Sequence, residues 1–211
     1  MQSKRMETNQ ASDHLQIIRT LMERSALYRR ALAPVMMVSG IAGITATVAA
    51  QFIAIQSARS FALFWLAVSV LAIILAYLLV RRQALKDSET FWSPPTKRVT
   101  EALLPAFFVG FAAGAYHVAR NPEGTVTWLA LGWIIVYGCA VHAAGFFMQN
   151  RMRLFGWIFI LGGCGLLFVG GQSSEIRTVR AAHYLMGTFF GVLHLACGIY
   201  LYFTEKRGNA S

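Results

Sequence analysis

The chain has 211 residues, of which 56% are hydrophobic and only 13% charged, and its formal net charge is +10. A soluble domain carries about 25% charged residues, so this composition excludes an ordinary soluble protein. The basic excess would suggest nucleic-acid binding in a soluble chain. Here it sits in short clusters between long apolar runs, and the positive-inside rule accounts for it; no direct nucleic-acid partner is expected.

Residues 1–11 are polar, and Ser12 or Asp13 can cap a following helix, accepting from its free first-turn N–H groups. Leu15, Ile18, Leu21, Met22, Ala26 and Tyr28 then recur on one face, opposite Arg19, Glu23, Arg24 and Arg30. This predicts a basic amphipathic helix of about 20 residues, able to lie at an anionic membrane surface or to offer a face to a cytoplasmic protein partner. No secretory leader is expected, since the first apolar run begins only at Pro34.

Six apolar runs follow, at Pro34–Ile55, Phe61–Val80, Ala102–Ala119, Val126–Gln149, Leu154–Gly171 and Ala182–Phe203, and none has a charged residue in its central part. A span needs roughly 20 apolar residues to cover about 30 Å of hydrocarbon. A charge at mid-bilayer costs about 2.5–3.5 kcal/mol or more. The expected fold is all-α, a polytopic transmembrane bundle of about six spans over residues 34–203. It follows a cytoplasmic segment at 1–33 and precedes a cytoplasmic tail at 204–211. Of the 19 Lys and Arg residues, 15 fall in the N-terminal segment, the connections holding Arg81 to Arg98 and Arg151 to Arg153, and the tail, whereas Arg59, Arg120, Arg177 and Arg180 lie on the other side. This bias places both ends in the cytoplasm. In the long second connection Phe91-Trp92-Ser93-Pro94-Pro95 breaks the helix and sets aromatic rings at headgroup depth.

Small residues recur at helical spacing: Ala106, Gly110 and Gly114 in the third run, Gly138 and Gly145 in the fourth, Gly162, Gly163 and Gly165 in the fifth, and Gly187 and Gly191 in the sixth. They read as packing faces on which helix backbones approach closely. The three cysteines, Cys139, Cys164 and Cys197, fall within spans and suggest no disulfide framework.

Ionisable groups inside a membrane are the first pointers to function, and here they are histidines. His117 and His183 fall at the outer ends of the third and sixth runs, where they are expected to be solvated. His142 and His194 lie deeper. Cys139-x-x-His142 and His194-x-x-Cys197 each put two ligand types on one helix face, at similar depth if the fourth and sixth spans touch. Such a set can hold zinc or copper, and two facing histidines can ligate haem. The alternative is a pair of histidines hydrogen-bonded within the bundle, and this is the reading adopted, with no cofactor expected. No phosphate-binding loop, nucleophile elbow or His-Glu-x-x-His pattern is present, and no carboxylate pair sits in a span.

Ile18-Arg19-x-x-Met22-Glu23, Leu104-Pro105 running on to Gly114, Tyr137-Gly138 and Gly191-x-x-His194-x-x-x-Gly198 together give the chain a likeness. It resembles a family of uncharacterised bacterial multi-span inner-membrane proteins, often encoded beside a winged-helix regulator. The resemblance implies a bacterial inner-membrane location and brings no activity; His194 matches its pattern, while Cys139 and His142 have no counterpart in it. The expected function is a non-enzymatic sensory or interaction module that binds a membrane-associated ligand and signals through its cytoplasmic helix. A small-solute or metal transporter and a haem- or metal-bearing redox protein are the alternatives. The sequence carries no signal for an oligomeric state.

Overall fold

The computed structural model describes residues 31–53, 55–86, 88, 91–170 and 178–208. The expected amphipathic helix lies outside them. The described residues are helical, with no strand among them. The helices are α1 (Ala31–Phe52), α2 (Ala58–Lys86), α3 (Pro94–Arg120), α4 (Val126–Ala144) and α5 (Asn150–Gly170), then α6 (Val179–Met186), a π-helical segment (Gly187–Leu193) and α7 (His194–Gly208). The last three stack end to end as a single span, Val179–Thr204, giving six helices long and apolar enough to cross a membrane.

The boundaries follow local chemistry. α3 starts at Pro94 with Ser93 before it, because a proline fits the first helical turn, where no amide donor is needed. The Ser93 and Thr96 hydroxyls are hydrogen-bonded at 2.9 Å. α3 ends at Asn121, in the left-handed region at φ 45°, whose N–H donates to the His117 carbonyl. The fourth run was expected to reach Gln149, but α4 stops at Ala144. Phe146 and Phe147 donate to the carbonyls of Ala143 and Ala144 in a tight turn, so these apolar residues extend the run without extending the helix. α7 continues to Gly208, beyond the expected end at Phe203. With 29 residues α2 is about 43 Å long, more than the hydrocarbon thickness, so its Arg81, Arg82 and Lys86 reach past the apolar layer.

Two buried cores fill the bundle. One gathers Leu32, Met36, Ile134, Phe155, Phe159 and Leu201, among others; the other gathers Ala46, Phe61, Trp65, Leu129, Ala182 and Met186, among others. α1, α4 and the sixth span contribute to both. Phe190, inside the π-helical segment, packs against both, so that segment bridges the two cores. α2 and α3 are peripheral: only 6% of the most apolar stretch of each is buried, against 50% for α4. Large apolar side chains face outward, Phe52 at 85% and Phe168 at 83% exposure. So much exposed apolar surface suits hydrocarbon and not water.

The small-residue faces behave as expected with two corrections, at Gly110 and at Gly165, where a Cβ would meet nothing within 4 Å. A Cβ on Gly138 would lie 2.9 Å from the Gly156 carbonyl oxygen, so the antiparallel α4 and α5 touch backbone to backbone. A Cβ on Gly43 would lie 2.6 Å from the Phe190 carbonyl oxygen, and one on Gly191 2.9 Å from the Ile44 nitrogen, so α1 seats directly on the π-helical segment. In α3 the close approach is at Gly114, 2.9 Å from a Leu66 methyl carbon, and not at Gly110, where a Cβ would meet Trp133 at an ordinary 3.6 Å. Gly110→Ala is therefore expected to leave the melting temperature in detergent unchanged or raised, alanine being about 1 kcal/mol the better helix former; a drop of several degrees would contradict this placement.

Candidate functional site

The sixth span carries the features that set it apart. π-helices are rare, short and frequent at functional sites, and this one spans seven residues with a buried histidine on either side, His183 in α6 and His194 at the start of α7.

His194 follows from the helical irregularity. Its own N–H reaches back to the Gly191 carbonyl, and its ring Nδ1 meets the Phe189 carbonyl, five residues back, at 3.0 Å. A carbonyl only accepts, so Nδ1 carries a proton. In the neutral ring Nε2 is then the acceptor, and the Tyr137 hydroxyl donates to it across the bundle at 2.7 Å. Tyr137, Phe155, Phe159 and Phe190 pack around the imidazole, with ring centroids 5.1–5.9 Å away. Both ring nitrogens are thus spent on hydrogen bonds.

His183 is the converse case. It was expected at the solvated outer end of its span, yet it is 2% exposed. The cause is α2, whose Phe61 and Trp65, one helical turn apart, fold over it together with Phe64. The Trp65 indole N–H donates to His183 Nδ1 at 3.0 Å. An indole nitrogen only donates, so Nδ1 is the acceptor and the neutral ring must carry its proton on Nε2. That Nε2 is buried and has no hydrogen-bond partner among the described residues. The two histidines flanking the π-helical segment therefore hold opposite tautomers. Phe61 in turn stacks on Trp133 at 6.2 Å, and the Trp133 indole N–H donates to the Gly110 carbonyl at 2.8 Å, tying α2, α3 and α4 together here.

The structure does not bring Cys139, His142, His194 and Cys197 together. Among the described residues no three His, Cys, Asp or Glu side chains form a group able to hold a metal ion. Helical phase is the reason. Gly138 faces α5; one residue on, about 100° round the helix, Cys139 points outward and is exposed, and one residue back Tyr137 points to the sixth span. His142, one turn after Gly138, also faces α5, where its Nδ1 donates to the Arg153 carbonyl at 3.3 Å and its ring packs on Phe146 and Trp157. Cys197 is half-buried against the first core. The residue that meets His194 is Tyr137, not His142. His117 is held within α3, its Nδ1 donating to the Ala113 carbonyl at 2.8 Å.

Sequence reasoning missed Tyr137, Trp65 and the π-helical segment. A tyrosine on the face of α4 adjoining its glycine face was the available signal for the first.

Compared with protein-family models, with curated proteins and with solved structures, the chain matches none. What the site can do rests on its own geometry: two neutral, oppositely oriented imidazoles in aromatic surroundings, joined by a helical segment with irregular hydrogen bonding.

Proposed function

We propose that this chain is a non-enzymatic sensor of the bacterial inner membrane, both termini cytoplasmic, that binds a membrane-soluble ligand within its bundle and signals through its N-terminal helix to a cytoplasmic partner. The observation that carries the reading is the π-helical segment Gly187–Leu193, placed between the two cores and seated on the backbone of α1. Return of this π-helical segment to the α-helical register would supply a two-state element. A ligand shifts such an equilibrium only by its difference in affinity for the two states. α1 touches this segment through Gly43 and follows directly in sequence on the basic stretch holding Arg19 and Arg24, so α1 links the sixth span to that stretch along the chain.

The test is amide hydrogen exchange on the purified chain in nanodiscs, with and without lipid extract from native membranes. The expected result is slowed exchange at residues 187–194 with little change in α5. Uniform exchange with and without extract, together with solute uptake in proteoliposomes, would replace sensing by transport. Topology is checked separately: reporters fused at Lys86 and Lys206 are expected to read cytoplasm and one at Asn121 the outside, and an outside reading at Lys86 would overturn the orientation.

A further inference from the structure

Two histidines of this chain make the same kind of bond in two helical registers. In α3 the His117 Nδ1 donates to the carbonyl of Ala113, four residues back, at 2.8 Å. In the sixth span the His194 Nδ1 donates to the carbonyl of Phe189, five residues back, at 3.0 Å. Four residues is the reach of an α-helical hydrogen bond and five that of a π-helical one. The imidazole of His194 therefore spans the longer repeat with its side chain. The carbonyl four residues before His194 is that of Phe190, and its oxygen lies against α1, where a Cβ on Gly43 would meet it at 2.6 Å. At the far side of the ring, Nε2 accepts from the Tyr137 hydroxyl at 2.7 Å, and the Phe190 ring stacks on the imidazole at 5.9 Å. The ring is thus tied to the π-helical segment through one nitrogen and to α4 through the other. α4 is itself seated on the backbone of α5 at Gly138. Return of Gly187–Leu193 to the α register turns α7 against α6 by one residue of phase, about 100°, which carries the imidazole away from Tyr137.

We propose that His194 is the lock of the sixth span: bonded to the Phe189 carbonyl and to the Tyr137 hydroxyl, its imidazole holds Gly187–Leu193 in the π-helical register, and breaking those bonds lets the segment return to the α register and turns α7. On the sensing reading above, on which the use of this movement rests, the lock is what a signal has to release.

The test is double electron–electron resonance on the full chain in nanodiscs, with Cys139, Cys164 and Cys197 replaced by alanine. One nitroxide sits at Leu85→Cys on α2, which the Trp65–His183 bond ties to α6. The other sits at Tyr202→Cys or Phe203→Cys on α7; all three positions are exposed. Tyr202 and Phe203 are one residue apart, so a turn of α7 by one residue of phase cannot leave both distances unchanged. A Leu85–Leu154 pair, between α2 and α5, serves as the reference, and a variant that keeps its wild-type distance is folded. His194→Leu, which removes both bonds and fills the space, is expected to shift at least one α7 distance by roughly 5 Å or more, given the width of a helix with its side chains. Tyr137→Phe, which removes one bond, is expected to add the shifted distance as a second population. A side chain that only packs would lower the melting temperature and move neither distance. Wild-type α7 distances in folded His194→Leu would overturn the proposal; should that variant not fold, wild-type distances alone in Tyr137→Phe would do so. Unmoved distances, with residues 187–194 still responding to membrane extract, remove the lock and leave sensing standing. Shifted distances without that response leave the lock and remove sensing.

Discussion

Gly156→Leu is expected to cost the protein most of its stability. A Cβ at position 156 would lie 2.6 Å from the His142 backbone nitrogen and 2.8 Å from the Gly138 carbonyl oxygen. The obstruction is opposing main chain, which cannot turn aside as a side chain can. α4 and α5 would have to separate along the contact that also holds Gly145 against Arg153 and Gly163 against Ile134 and Ile135. Overpacking a core costs about 1–3 kcal/mol where side chains can adjust, and the cost here is expected at or above the top of that range. The variant should accumulate poorly and elute as aggregate in detergent, with Gly156→Ala intermediate. A monodisperse Gly156→Leu protein with an unchanged melting curve would mean that α4 and α5 do not meet this way.

The spans were legible because hydrophobic run length is a strong signal, and the glycine faces because small residues at helical spacing have one dominant use in membranes. Run length overshot at Phe146 and Phe147, which are apolar enough to read as span yet form a turn. The pairing of sites was not legible. Matching Cys139 and His142 to His194 and Cys197 by depth ignored rotation about the helix axis, and two residues of phase separate an outward Cys139 from Tyr137, which reaches His194. His183 was misjudged because its place at a span end suggested water, while its burial depends on Phe61 and Trp65, more than a hundred residues earlier in the chain. The π-helical segment has no sequence signature of its own; what the structure adds is its seat against α1 at Gly43 and Gly191.

His194→Ala is the substitution that separates the roles this residue can play. Removing the imidazole empties the space between Tyr137, Phe155, Phe159 and Phe190, and truncating a buried ring costs about 3–5 kcal/mol. It also strands the Tyr137 hydroxyl, for which the loss of a buried partner costs about 1–3 kcal/mol. Tyr137→Phe removes only the hydroxyl and leaves His194 Nε2 without a donor, so its cost is expected near the latter figure alone. Because the two residues share one hydrogen bond, the double variant should lose less than the sum of the singles. Thermal unfolding in detergent measures all three. The purified wild-type protein is expected to show neither a haem absorption band nor stoichiometric metal. A cofactor at full occupancy that His194→Ala abolishes would show that the imidazole is a ligand and that its bonds to Tyr137 and Phe189 give way when the cofactor binds. Strict additivity of the two single variants would show instead that Tyr137 and His194 do not interact, and the cross-bundle hydrogen bond would have to be given up.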